Sequence, residues 1–149
     1  MRRFLHGFTL VELMVALALV GILATLAAPA FQGSIQRSRA DSDVNELRAA
    51  LSFARLEAIN KSRSITVAPT DTSMGWVAGI TVKQGNTVVR KFSAMKSGAQ
   101  LSTTGNVSEF IFNSLGGVDN EVGFNYTQGS TSKTLKVCPT GRILVAGGC

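Results

Sequence analysis

The stretch Gly7-Phe8-Thr9-Leu10-Val11-Glu12, followed by apolar sequence as far as Ala28, decides how this chain is read. As a helix, Phe8 to Ala28 would measure roughly 31 Å at 1.5 Å per residue, about the thickness of a bilayer's hydrocarbon core. A short basic leader, Met1 to Gly7 with Arg2 and Arg3, stands before it. The one charge inside the run is Glu12. A carboxylate at that depth is costly, which marks Glu12 as a functional residue. Pro29 follows the run. A proline removes a helix hydrogen bond and bends or locally melts a helix, although a simple end of the membrane helix would also account for it.

Working outward, Phe31 to about Ser62 turns amphipathic. Val44, Leu47, Leu51, Ala54 and Ala58 recur every three or four residues as one apolar stripe, widened by Phe53 and Ile59. Arg37, Asp41, Asp43, Glu46, Arg48, Arg55 and Glu57 lie between them and read as a solvated face or a lateral contact surface. After Arg63 the composition becomes β-type. Strands are predicted at 64–67, ended by Pro69, and at 76–82 and 87–92 around Gln84-Gly85-Asn86. Further strands are predicted at 109–113, 123–126, 134–137 and 142–145. Ser102 to Asn106 is polar but too short to be a separate linker. A long helix on antiparallel strands is an α+β layout. The expected organisation is a leader over 1–7, a transmembrane helix over 8–28, its amphipathic continuation over 29–62, and a β-rich domain over 63–149.

The N-terminal stretch resembles the start of type IV prepilins and type II secretion pseudopilins. Gly7 stands before the cut, Phe8 becomes the first residue, and Thr9-Leu10-Val11-Glu12-Leu13 follow. A secretory signal peptide cut near Ala28-Pro29-Ala30, or an uncleaved anchor, would leave Gly7 and Glu12 unexplained. The resemblance implies the type IV pilin fold, cleavage after Gly7 by prepilin peptidase and N-methylation of Phe8. It also implies residence in the inner membrane, with the C-terminal domain in the periplasm, and then transfer into a fibre with other minor and major pilins or pseudopilins. There Glu12 would pair with the amino group of a neighbour's Phe8. Such a pair fixes axial register more than it adds net energy. Pro29 would mark a bend or a melted segment in the fibre.

The second half is similar to FimT/FimU-type minor pilins and to the H-type pseudopilin. The carriers are Phe110-Ile111-Phe112-Asn113, Gly116-Gly117, Thr134-Leu135-Lys136-Val137 and Gly141-Arg142. This implies a minor subunit that primes a type IV pilus or sits at its tip, or the corresponding subunit of a secretion system. Some relatives bind DNA through a C-terminal Gly-Arg-x-Arg motif. Gly141-Arg142 matches its first half, but Ile143-Leu144 follow, so the second arginine is absent. Lys133, Lys136 and Arg142 remain as candidate phosphate contacts. Tyr126 and Trp76 are the candidate stacking aromatics, with core packing the more natural task for Trp76.

The net charge is +6, and loss of Arg2 and Arg3 with the leader lowers it to +4. That balance suits an anionic partner, nucleic acid or lipid head groups, and equally suits mere solubility. Cys138 and Cys149 are an even pair in an exported chain, which favours a disulfide over two free thiols. Such a ring would contribute about 3 kcal/mol in the chain-entropy model. The only histidine, His6, lies in the leader. Its loss excludes Ser-His and Cys-His nucleophile systems and most zinc sites. Asp71, Asp119 and Glu121 read as solvated loop acids. The expectation is a structural subunit, with no catalysis, cofactor or metal.

Overall fold

Leu10 to Lys61 form one α-helix, α1, in a computed structural model that describes residues 9–149 and, over 26–30, the backbone alone. Thr9 starts it. The Glu12 amide donates to Thr9 Oγ1 at 3.2 Å, satisfying one of the helix's orphan N–H groups. At the other end Ser62 adopts φ 50°. The Arg63 amide donates to the Ala58 carbonyl at 3.1 Å and the Ser62 amide to the Ile59 carbonyl at 3.1 Å. This bond pair is a Schellman stop. Lys61 strengthens the last turn by pairing with Glu57 at 2.6 Å.

The chain divides into compact units between Ile35 and Gln36. In the first unit every residue from Leu10 to Thr25 is exposed, so this stretch of helix shows apolar side chains on all faces. Among the described residues no helix is long and apolar enough to cross a membrane. The expected span runs over 8–28, but the described side chains of it stop at Thr25. Leu10 to Thr25 measures about 24 Å as a helix, short of the roughly 30 Å that a span needs.

The second unit, Gln36–Cys149, lays the rest of α1 on two antiparallel sheets. Among the described residues there are eight strands. They are β1 (Ile65–Asp71), β2 (Gly75–Gln84), β3 (Thr87–Phe92), β4 (Ala99–Thr103), β5 (Phe110–Phe112), β6 (Val122–Gln128), β7 (Thr131–Val137) and β8 (Ile143–Val145). One sheet has the order β3-β2-β1-β5 and the other β4-β6-β7-β8. β4 lies where no strand was predicted, and it takes in Ser102 and Thr103 of the polar stretch. Leu101 and Thr103 turn inward and pair with Tyr126 and Phe124. Its alternation is short and mostly polar, which hides it in the sequence. Pro69 does not end β1. It pairs with Ile80 beside an irregularity in register, and β5 pairs only as far as Val67. A proline is tolerated at such a bulge, where the far side of the strand has no partner.

The stripe of Val44, Leu47, Leu51, Ala54 and Ala58 is buried, and Ala40 and Ala50 extend it. Burying one leucine such as Leu51 stabilises the fold by roughly 1.5–3 kcal/mol. Facing the stripe, Trp76 packs edge-on to Phe124 with ring centroids 5.2 Å apart. Its indole N–H donates to the Val107 carbonyl at 2.8 Å. The whole cluster lies between Ala40 and Ile143. Gln36–Cys149 therefore holds a complete core of its own and is a self-sufficient folding unit.

Ile59 and Asp43 do not lie on the faces expected of them. Ile59 is 40% exposed and sits under the Gly116 backbone rather than on the core stripe. Asp43, expected in solvent, is 2% exposed. Its place follows from spacing, since Ala40, Asp43, Leu47 and Ala50 fall on one helix face.

Candidate functional site

Gly7 and Phe8, the expected processing residues, lie outside the described residues. Pro29 falls within the span of α1, and its side chain is likewise outside them. Glu12 is described. It is exposed and sits in the first turn of α1, where the helix dipole favours a carboxylate. Thr9-Leu10-Val11-Glu12 has the order of a capping box. The bond seen at this cap is made by the Glu12 amide.

In the second unit, Gln36–Cys149, called the head from here on, Asp43 pins α1 to the sheets. Its Oδ2 accepts from the Tyr126 hydroxyl at 2.7 Å and from the Lys96 amide at 3.0 Å. The bonds join the helix, β6 and the β3–β4 connection. The Tyr126 oxygen is also 3.2 Å from Gln128 Oε1. A phenol has one proton, and the shorter contact to the carboxylate takes it. Burial, and then the Asp43 carboxylate, push the Tyr126 phenol well above its ordinary value. Tyr126 is 1% exposed, so it cannot stack on a nucleic-acid base. It serves the core, and Trp76, at 5% exposed, does the same.

The two glycine motifs of the second half meet on one face of α1. Asn113 builds the first loop, its Oδ1 accepting from the Leu115 amide at 3.0 Å and the Gly117 amide at 3.0 Å. Gly116, at φ 77°, lies so close to the helix that a Cβ there would meet Ile59 Cδ1 at 2.6 Å. Gly141, at φ 78°, forms the β7–β8 turn. Its amide donates to the Cys138 carbonyl at 2.7 Å, and the Cys138 amide to the Arg142 carbonyl at 2.8 Å. A Cβ on Gly141 would overlap the Gly116 carbonyl oxygen, so only glycine fits the contact. Arg55 ties both loops to the helix, Nε donating to the Gly116 carbonyl at 3.2 Å and a terminal nitrogen to the Thr140 carbonyl at 3.4 Å. Sequence reasoning placed Arg55 in solvent. Its signal was the coincidence of two glycine turns, which needed a third partner.

The three candidate DNA contacts are not brought together as free cations. Lys133 pairs with Asp41 and Lys136 with Glu121 at 2.7 Å. Arg142 is exposed and makes no ion pair among the described residues. Cys138 and Cys149 form the expected disulfide, which closes the chain around the β7–β8 turn and β8.

Comparison with known proteins fits this geometry. Residues 43–141 match the family model of the type II transport protein GspH. Residues 2–28 match the prokaryotic N-terminal methylation motif. A fimbrial protein Q of Moraxella bovis is 51% identical over 43 residues, which cover 29% of this chain and 27% of that one. A fimbrial protein of Pseudomonas aeruginosa is 40% identical over 73 residues, 47% of each chain. The chain thus spans less than half the length of these curated relatives. The crystal structure of the type IV minor pilin FimU of Pseudomonas aeruginosa superposes with a TM-score of 0.66 at 22% identity, covering 74% of this chain and 90% of that one. That likeness bears on the fold, an α+β pilin fold with the helix laid on antiparallel sheets. With the model matched over the body of the head and the methylation motif at its start, the chain belongs to the GspH family of pilin-like structural subunits, which are not enzymes.

Proposed function

We propose that the chain is a minor pilin that primes assembly of a type IV pilus, or sits at its tip, after cleavage behind Gly7 and methylation of Phe8. One observation carries the reading. A helix apolar on all faces and wholly exposed from Leu10 to Thr25 is joined to a head with its own complete core. Such a helix suits a bilayer before assembly and a bundle of like helices afterwards. In this reading the chain waits in the inner membrane with its head in the periplasm, and Glu12 docks on the Phe8 amino group of a neighbour.

The secretion-system reading keeps the same helix and head but moves a secreted protein instead of building a pilus. The curated relatives it matches are fimbrial proteins by name, which supports the pilus. The DNA-receptor reading has less support, since Lys133 and Lys136 are held by acids and Tyr126 is buried. Deleting the gene in its own bacterium tests all three. The expected result is loss of surface fibres with secretion intact, restored by the wild-type chain. Normal fibres with secretion lost would favour the pseudopilin, and normal fibres with DNA uptake lost would favour the receptor.

A further inference from the structure

No charged residue stands between Glu12 and Arg37, so the uncharged stretch of α1 runs well past Ala28. Phe31 is 68% exposed and Ile35 50% exposed. They lie four residues apart in α1 and so share a helix face. Arg37 and Arg39 come next along the chain, and both are exposed.

Spacing offers each arginine an acid of its own. Asp41 lies four residues after Arg37, and Asp43 four residues after Arg39, the separation at which helix charges pair. The fold uses both acids elsewhere. Asp41 pairs with Lys133. Asp43 accepts from the Tyr126 hydroxyl at 2.7 Å and from the Lys96 amide at 3.0 Å. Arg37 and Arg39 are left with no ion pair among the described residues. Exposed apolar side chains followed by unmatched guanidinium groups suit a segment lying where hydrocarbon gives way to phosphate.

We infer that Phe31 to Arg39 binds the bilayer surface, with Phe31 and Ile35 entering its edge and Arg37 and Arg39 holding the phosphates of anionic phospholipid. The inference rests on the membrane-resident stage of the proposed function and names the lipid partner there. Distances along the helix select this placement. A span that ended at Ala28 would leave Arg37 about 13 Å beyond the hydrocarbon, past a headgroup layer of roughly 5–7 Å. A span from Leu13 to Ile35 would measure roughly 34 Å, and its length falls within the ~17–25 residues that cross a bilayer. It sets Arg37 and Arg39 about 3 and 6 Å past the hydrocarbon, among the phosphates. Gln32 and Ser34 then lie within about 5 Å of that edge, close enough to reach water. Glu12 is carried to the opposite surface, out of the hydrocarbon that penalises it. Transfer into a fibre then requires the arginine–phosphate contacts to break.

The test reconstitutes the full chain in phosphatidylcholine vesicles with a minor share of phosphatidylglycerol. Spin-labelled lipids report which headgroup gathers round the protein. Phosphatidylglycerol should be preferred, and Arg37→Gln with Arg39→Gln should cut the preference by about fivefold per arginine at low salt. Added salt should weaken the wild-type preference in the same direction. Arg48→Gln with Lys91→Gln removes the same charge from other exposed positions and should leave the preference unchanged. Phe31→Trp should be quenched by lipids brominated high on their acyl chains. The native Trp76 is buried in the head's core and should not be.

A chain that floats with the vesicles but shows no headgroup preference overturns the inference and leaves the membrane-resident reading standing. A preference that survives loss of both arginines, or a Phe31→Trp variant that bromine does not quench, does the same. Capture of short duplex DNA through Arg37 and Arg39 without a headgroup preference would assign the pair to nucleic acid and overturn the inference too. A chain that does not float with the vesicles at all would remove the membrane-resident reading together with the inference.

Discussion

Replacing Tyr126 by Phe takes one oxygen from the middle of the head and leaves its shape unchanged. Asp43, 2% exposed, then keeps the Lys96 amide at 3.0 Å and loses the hydroxyl at 2.7 Å. A hydrogen bond to a charged acceptor contributes about 1.5–3 kcal/mol, and a buried carboxylate short of a donor adds a desolvation cost. The expected loss is roughly 2–3 kcal/mol, or about 10 °C in Tm for a domain of this size. Trp76, the only tryptophan, lies in the same core cluster, so its fluorescence follows urea unfolding of the head. Asp43→Ala alone should cost a comparable amount, since the Lys96 amide then loses its acceptor and the hydroxyl keeps only the longer contact to Gln128 Oε1 at 3.2 Å. The double variant should cost less than the sum, with a coupling of at least about 1 kcal/mol. A Tyr126→Phe head within about 0.5 kcal/mol of wild type, or strictly additive effects, would refute the claim that this pair pins the helix to the sheets.

Other perturbations follow from the same geometry. Tyr126 is the only tyrosine, so phenolate absorbance reports it alone. Its phenol is raised in the folded state, so the folded head holds the proton longer than the unfolded chain. The stability it contributes is complete below about pH 10, the ordinary phenol value, and is lost as pH rises above it. The phenolate signal should therefore appear together with unfolding. Gly141→Ala should cost more than about 2 kcal/mol, because an L-residue at φ 78° is strained and its Cβ would overlap the Gly116 carbonyl. Gly105→Ala, at φ 77° with nothing within 4 Å, should cost only the conformational part, and urea melts of the two separate the effects. Reducing Cys138–Cys149 should lower stability by about 3 kcal/mol in the chain-entropy model, read from melts with and without reductant. Glu12→Ala should leave cleavage intact and lower incorporation into fibres, measured by blotting the sheared fibre fraction.

Periodicity carried much of this fold. Val44, Leu47, Leu51, Ala54 and Ala58 are buried as their spacing required, because a helix of that pattern has one way to face a core. The reading failed where a polar residue lies on the apolar face. Asp43 fits the stripe by position and was assigned to solvent by its charge, since its partner Tyr126 is distant in sequence. Pro69 and β4 failed for a related reason. Tolerance of the proline depends on β5 ending its pairing at Val67, and β4 is held by pairing with β6. Neither neighbour is visible locally. The glycine motifs were legible as turns, but their convergence on Arg55 is a tertiary fact. The pairing of Lys133 and Lys136 with acids depends likewise on residues far along the chain.

The proposed fibre subunit is a chain cut behind Gly7, methylated on Phe8 and docked through Glu12. The intact mass of the chain recovered from sheared fibres tests it most directly. The account predicts a chain beginning at Phe8, carrying one added methyl group and lacking two hydrogens for the Cys138–Cys149 bond. A chain that begins at Met1, one cut beyond Ala28, or its absence from the fibre fraction would contradict the account.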